Sequence, residues 1–210
     1  MIQHKDISSL VYKKLKEMIH RNELKPGEKL PQEKLAASLG VSRTPLLKAL
    51  QMLEYDFLVE SIPRRGIYVK KLTLDEMQDI YDVRESIEAV AVRSAMHRIN
   101  KRQLQQLKNI WKPFKNINPI DAEKYRKADD RFHGLLLEMS GNKMLQKIYS
   151  HSMIQLRVEQ MGLMRPPEET LPEYLAIVRA MEMGRADLAI KELKNHVQKS
   201  KMHIQKKFKK

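Results

Sequence analysis

The sequence of 210 residues contains no cysteine. Without a thiol the chain cannot form a disulfide framework, a cysteine nucleophile or a cysteine-based zinc finger. Its uncharged apolar stretches are only a few residues long, so no transmembrane span is expected. The first residues show neither the apolar core nor the cleavage site of a secretory signal. These absences predict a cytoplasmic protein that has no membrane partner.

Positive charge is in excess. The formal net charge is +14, a balance that favours polyanionic partners such as nucleic acid. Half of the excess lies within residues 191–210, where a lysine-rich helix end can simply be solvated. Basicity therefore permits nucleic-acid binding, and a specific motif has to establish it.

The first third of the chain has the pattern of three helices followed by a hairpin. Apolar residues at helical spacing predict helices over 7–22 and 31–39, and a third helix that begins after Ser42. Segments rich in β-branched and aromatic residues on either side of residues 63–66 predict a small hairpin. Two short helices joined by a tight turn at Gly40 are typical of the helix-turn-helix motif. The hairpin would be the wing of a winged helix-turn-helix.

Beyond residue 71 the apolar spacing is helical to the C-terminus. We therefore expect a mainly α fold, with a winged helix-turn-helix and its small β-hairpin wing over residues 1–71, and an all-helical bundle over residues 72–210. The helices expected in the bundle are 74–99, 102–114, 121–140, 142–164, 168–183 and 185–207.

The helix-turn-helix, over about Gln32 to Gln51, predicts which side chains contact DNA. Ser42, Arg43 and Thr44 lie at the N-terminus of its second helix, the end that enters the major groove. The hydroxyl of Ser42 is expected to cap this helix, and Arg43 can reach a base edge, preferably guanine. Lys48 lies further along the helix and can contact backbone or bases.

The predicted wing adds a second contact with DNA. Arg64 and Arg65 stand at the tip of the hairpin, and Gly66 beside them allows a close approach to phosphate or to the adjacent minor groove. Because one small winged domain makes too few contacts for operator-level affinity, we expect a homodimer on an inverted-repeat site in double-stranded DNA.

Three segments resemble the GntR family of bacterial regulators: residues 24–30 (LKPGEKL), 39–45 (LGVSRTP) and 65–69 (RGIYV). The resemblance covers the whole N-terminal domain and implies DNA binding. One position departs from the family's pattern, because Leu47 stands where related proteins use an arginine on DNA. The resemblance therefore predicts the fold of this domain and leaves the operator sequence open.

The rest of the chain resembles the FadR-like subgroup of that family, which carries an FCD-type sensor domain. The similar segments are 84–88 (RESIE), 129–133 (DDRFH), 140–142 (SGN) and 183–189 (MGRADLA), which leads to His196. The resemblance implies a helical bundle that supplies the dimer contact. It also implies a central cavity for a small ligand, often a carboxylate, and often for a divalent metal.

Asp129, His133 and His196 are the candidate ligands for such a metal, zinc or nickel. Asp129 and His133 are four residues apart, so they share one helix face and can bind the same ion. Tyr174 stands where the resembled proteins have a further histidine, and a phenol is a poor ligand at neutral pH. Tyr174→His is therefore expected to raise metal affinity. The alternative is a metal-free cavity in which Asp129 and His133 hydrogen-bond each other.

Arg84, Arg157 and Tyr174 are the candidate effector-binding residues. The fork of an arginine matches a carboxylate, which favours a small carboxylate or sugar acid as effector. The alternative for Arg84 is an exposed side chain or an ion pair with Glu88, four residues further along the helix.

The sequence therefore predicts a ligand-responsive, sequence-specific transcription regulator, a repressor of a metabolic operon that is released or modulated by its effector. One alternative is a metal-dependent helical enzyme that uses Asp129, His133 and His196, but it leaves the N-terminal motif unexplained. A second alternative is a basic membrane-surface or RNA-binding protein that depends on residues 201–210.

Overall fold

A computed structural model describes residues 7–117, 119–152 and 165–208. Within these ranges the chain forms nine α-helices, one short 3-10 helix and a two-stranded antiparallel sheet. The mainly α fold is confirmed. The chain divides into two compact units between Leu72 and Thr73, and each is described by itself. No helix in these ranges is long and apolar enough to cross a bilayer.

The N-terminal unit has three helices and a hairpin, in the predicted order. Helix α1 packs on α3, and α3 also contacts α2 and the first strand. In the sheet Val59 pairs with Val69, and Ile62 pairs with Gly66 beside the turn. The elements are α1 (Ile7–His20), α2 (Gln32–Leu39), α3 (Arg43–Tyr55), β1 (Val59–Ile62) and β2 (Gly66–Val69).

The turn between α2 and α3 depends on two small residues. Gly40 ends α2 with a φ of 64°, a left-handed conformation that a side chain would disfavour. Immediately after it, the backbone N–H of Val41 donates to the carbonyl of Ala36 at 3.1 Å. Ala36 is buried, so its methyl group leaves room for α3 to cross close by.

The C-terminal unit is a helical bundle in which α4 packs against both α6 and α9, while α8 packs against α5 and α9. Thr73 and Glu76 form a capping box that starts α4, and these paired bonds satisfy two backbone donors. The expected helix over 142–164 begins as α7, and residues 153–164 lie outside the described residues. The elements are α4 (Leu74–Met96), α5 (Lys101–Trp111), a 3-10 turn (Lys112–Phe114), α6 (Ala122–Ser140), α7 (Lys143–Ser152), α8 (Pro167–Glu182) and α9 (Ala186–Phe208).

Aromatic rings form the centre of this bundle. The indole of Trp111 stacks on the ring of Tyr174, with centroids 4.1 Å apart and planes inclined by 11°. Phe132 and Tyr125 lie against the same indole at 5.5 Å. All four side chains are fully buried, so the polar groups beside them lie in a medium from which water is largely excluded.

Candidate functional site

The N-terminus of α3 is exposed, as a groove-reading helix requires. Ser42 occupies the cap position in an extended conformation, but its side chain makes no capping hydrogen bond. The expectation that its hydroxyl caps the helix was wrong. Because no side chain of the cap residue covers the first turn, its backbone N–H groups face outward, where a phosphate is favoured by the helix dipole.

Arg43 and Thr44 follow on the exposed surface of α3, and Lys48 lies one turn further along. The guanidinium of Arg43 donates to the side-chain oxygen of Gln32 across 3.5 Å. This long, exposed bond orients Arg43 without using its charge. Leu47, which takes the place of a family arginine, is half-buried on the same helix.

The tip of the hairpin presents cations. The backbone N–H of Arg65 donates to the carbonyl of Ile62 at 3.0 Å and closes the turn, while Arg64 has a φ of 62°. Gly66 has a φ of 109°, and a Cβ built there would lie 3.2 Å from Cε of Lys29. The exposed Lys29 therefore adds a third cation to the wing. Sequence reasoning missed it because Lys29 precedes α2, and the pairing of residues 27–30 with β2 brings it to the wing.

In the C-terminal unit six polar side chains from α4, α6, α8 and α9 meet beside the aromatic centre. All of them are buried. We call this group the polar cluster, and it consists of Arg84, Glu88, Asp129, His133, Tyr174 and His196.

Arg84 and Glu88 form the charged half of the polar cluster. Nε of Arg84 donates to Oε1 of Glu88 at 2.9 Å, and Nη2 donates to Nε2 of His133 at 2.6 Å. The exposed fractions are 3% for Arg84, 0% for Glu88 and 1% for His133. Burial opposes ionisation of Glu88, but the charge of Arg84 and the contact with His133 outweigh it and lower its pKa to about 2. The pair is therefore ionised at neutral pH.

One ring nitrogen of His133 acts as a hydrogen-bond acceptor. A guanidinium can only donate, so Nε2 of His133 must accept from Arg84. The other ring nitrogen, Nδ1, lies 3.0 Å from Oε1 of Glu88 but forms no hydrogen bond with it. His133 therefore lies between Glu88 and Arg84 and is hydrogen-bonded to Arg84.

The hydroxyl of Tyr174 lies beside Asp129 and His133 of α6. Its hydroxyl donates to Oδ1 of Asp129 and lies 3.1 Å from Nε2 of His133. Asp129 and His133 are themselves 3.9 Å apart, beyond the distance of the direct hydrogen bond that the metal-free alternative placed between them, and the proton of Tyr174 goes to Asp129. Burial, together with the neighbouring charge of Asp129, raises the pKa of Tyr174 well above its usual value.

His196 reaches the cluster from α9 with a carboxylate behind it. Its Nδ1 lies 2.8 Å from Oε2 of Glu173, which also accepts from Nη1 of Arg165, while Lys199 bonds Oε1. Burial opposes ionisation of Glu173, but these bonds lower its pKa to about 2. Burial also lowers the pKa of His196. Only the packing of α8 on α9 reveals the contact between Glu173 and His196.

The expected metal ligands are close together, but their geometry does not support a metal site. No group of three histidine or acidic side chains within the described ranges is arranged to hold an ion. The physical reason lies at His133, whose Nε2 already faces Arg84 and Tyr174. Arg84, expected to bind the effector, is paired with Glu88 as in the alternative interpretation, and both side chains are buried. Arg157, the other candidate for the effector, lies outside the described residues.

Both units match known protein families. Residues 7–69 match the family described as bacterial regulatory proteins, gntR family, and residues 79–199 match the FCD domain family. The chain is 33% identical over 144 residues to the uncharacterized HTH-type transcriptional regulator YdhC of Bacillus subtilis, over 67% of this chain and 63% of that protein. It thus spans less than two thirds of that relative's length.

A second relative covers more of the chain. The HTH-type transcriptional repressor RspR of Escherichia coli is 24% identical over 196 residues, which make up 91% of this chain and 86% of that protein. Among solved structures, E. coli McbR/YncC superposes with a TM-score of 0.75 over 99% of this chain and 100% of its own, at 19% identity. An identity this low supports the shared fold alone.

Proposed function

Because the chain belongs to the GntR family of bacterial regulators, in its FadR-like subgroup with an FCD domain, we propose that it is a repressor whose binding to an operator is controlled by a small carboxylate or sugar acid. The named relatives are DNA-binding regulators, so the chain is a transcription regulator and not the helical enzyme considered above. One relative is named a repressor, which supports repression. We infer that it acts in the bacterial cytoplasm, where the DNA that it is proposed to bind is found.

Arg84 carries the proposal for the effector. It is a buried guanidinium that already holds a carboxylate, that of Glu88. An incoming carboxylate has the same charge and the same planar geometry. It can therefore take the place of Glu88 on Arg84 and keep the guanidinium paired. The displaced Glu88 must then take up a proton or reach solvent, since an unpaired buried carboxylate is costly.

The exchange would also release a contact between helices. The hydroxyl of Tyr149, on α7, donates to Oε1 of Glu88 at 3.2 Å, the same oxygen that Arg84 holds. A displaced Glu88 would therefore shift the position of α7 relative to α4. This gives the effector different contacts in two states of the domain, as any ligand-driven switch requires.

The test begins with an operator selected from random duplex DNA, followed by affinity measurements with a panel of small carboxylates and sugar acids. We expect one class of acids to lower operator affinity by about 5- to 150-fold, the usual range of coupling between two sites. Arg84→Lys keeps the charge but loses the fork, so this variant should bind the operator and lose most of the response. An unchanged response in Arg84→Lys, or no response to any acid, would contradict the proposal.

We also propose that the protein is a two-fold dimer on an inverted repeat. Two winged units related by two-fold symmetry place their α3 helices in successive major grooves, so the half-sites should lie about 10 base pairs apart, centre to centre, or a multiple of that distance. Sedimentation velocity of the protein alone and with operator should give two chains per particle and two chains per duplex. A monomer that binds the duplex one-to-one is the opposite outcome.

A further inference from the structure

Each histidine of the polar cluster has a carboxylate beside its Nδ1. Nδ1 of His196 is hydrogen-bonded to Oε2 of Glu173 at 2.8 Å, whereas Nδ1 of His133 lies 3.0 Å from Oε1 of Glu88 without a hydrogen bond. In metal sites a carboxylate behind one ring nitrogen orients the other nitrogen toward the ion. The cluster, with Glu173 beside it, thus contains the carboxylates that would orient the histidine ligands of a metal site.

The position of the metal ion itself is taken by the guanidinium of Arg84. Nη2 of Arg84 lies 2.6 Å from Nε2 of His133, the nitrogen that would face the ion. A zinc ion bound there would lie about 2.0–2.1 Å from the same atom. The ion and the guanidinium cannot share this position, because their atoms would overlap and both are positively charged.

Tyr174 occupies a second atom that would otherwise bind the metal. Its hydroxyl gives its proton to Oδ1 of Asp129. His133 and Asp129 are two of the three expected metal ligands. Nε2 of His133 is therefore occupied by an N–H of Arg84, and Oδ1 of Asp129 by the O–H of Tyr174.

From these contacts we propose that the guanidinium of Arg84 takes the place of a divalent metal in the polar cluster, so that the cluster assembles without one. The charge of Arg84 does not depend on metal supply, and Glu88 balances it within the same helix. Any role of this arrangement in sensing rests on the function proposed above. The proposal that the cluster assembles without metal can be tested without knowing the effector.

The proposal predicts which substitutions will create a metal site. Tyr174→His alone adds an imidazole but leaves Arg84 on His133, so it should not be sufficient. Removing the charge of Arg84 together with that of Glu88 avoids an uncompensated buried charge, and glutamine at position 88 keeps an amide oxygen near Nδ1 of His133. The variant Arg84→Gln/Glu88→Gln/Tyr174→His should therefore bind the ion.

The experiment dialyses chelator-treated full-length protein against Zn²⁺ or Ni²⁺, measures bound metal by elemental analysis, and records Tm with and without the ion. Wild type and Tyr174→His should hold less than stoichiometric metal and show an unchanged Tm. The triple variant should hold one equivalent and melt at a higher temperature. Arg84→Gln/Glu88→Gln is its matched control, and its affinity should be weaker by about tenfold or more because it lacks the added imidazole.

Three results would overturn the proposal: stoichiometric metal in the wild type with a rise in Tm, stoichiometric metal in Tyr174→His, and a folded triple variant that binds no metal. If the triple variant does not fold, the wild type and Tyr174→His still decide the question, because stoichiometric metal in either contradicts it and no metal in both supports it. Since the probe is the metal ion alone, a failed search for the effector leaves this result unaffected.

Discussion

Replacing Arg84 by methionine is expected to lower the free energy of unfolding by about 3–5 kcal/mol, the cost of removing one partner from a buried ion pair. Methionine keeps much of the volume of the side chain, so lost packing contributes little. Glu88, which is 0% exposed, would remain as a buried carboxylate without its guanidinium. Equilibrium unfolding in urea at neutral pH measures the difference. A loss below about 1 kcal/mol, in the range of an exposed pair, would refute the structural role assigned to Arg84.

The double variant Arg84→Met/Glu88→Gln is the control, because it removes both charges and should recover much of the lost stability. The pH dependence provides a second check. The pKa of Glu88 is lowered from 4.5 to about 2 in the folded protein, so its ionisation stabilises the fold above pH 4.5. This contribution is lost as the pH falls towards 2. The difference in stability between wild type and Arg84→Met should therefore narrow across this window.

Substituting Arg43 by alanine should reduce the discrimination between operator and random duplex by about 1–3 kcal/mol, the value of one good contact between an arginine and a base. Arg43 is exposed at the N-terminus of α3 and its single described bond, to Gln32, is long. The fold should therefore not depend on it. Titration of both duplexes with wild type and variant gives the result.

The wing arginines are the contrast to Arg43. Arg64→Ala or Arg65→Ala should weaken binding to both duplexes alike and reduce the slope of log affinity against log salt by about 1. Lys29→Ala should behave in the same way if its ammonium also contacts phosphate. If Arg43→Ala keeps full discrimination while a wing variant loses it, the recognition helix has been misassigned.

The fold was largely predictable because local signals were strong. Turn residues such as Gly40 interrupt clear helical periodicities, and the observed helices begin and end within a few residues of the expected bounds wherever the structure describes them. The cap of α3 was not predictable at the same level. Ser42 has the right residue type and position, but the direction of its hydroxyl depends on the local rotamer, which periodicity does not contain.

The residues of the polar cluster were more predictable than the contacts between them. Helical spacing put Asp129 and His133 on one face, and the resemblance to a known family brought in His196 and Tyr174. The contact between Arg84 and His133 spans 49 positions. It follows from how α4 and α6 are rotated against each other, which no spacing within one helix reveals. The depth of burial, which makes the Arg84–Glu88 pair strong, has the same origin.

Trp111 is the only tryptophan of the chain, and its stack on Tyr174 places an intrinsic fluorophore next to the polar cluster. Emission from an indole responds to the groups that touch it, so a molecule that moves Tyr174 should change the fluorescence of the unlabelled protein. Entry of a ligand into the bundle can then be followed by fluorescence after rapid mixing. Because Arg84 is only 3% exposed, the bundle must open before a ligand reaches it. The observed rate should therefore level off at high ligand concentration, and the plateau would give the opening rate of the domain.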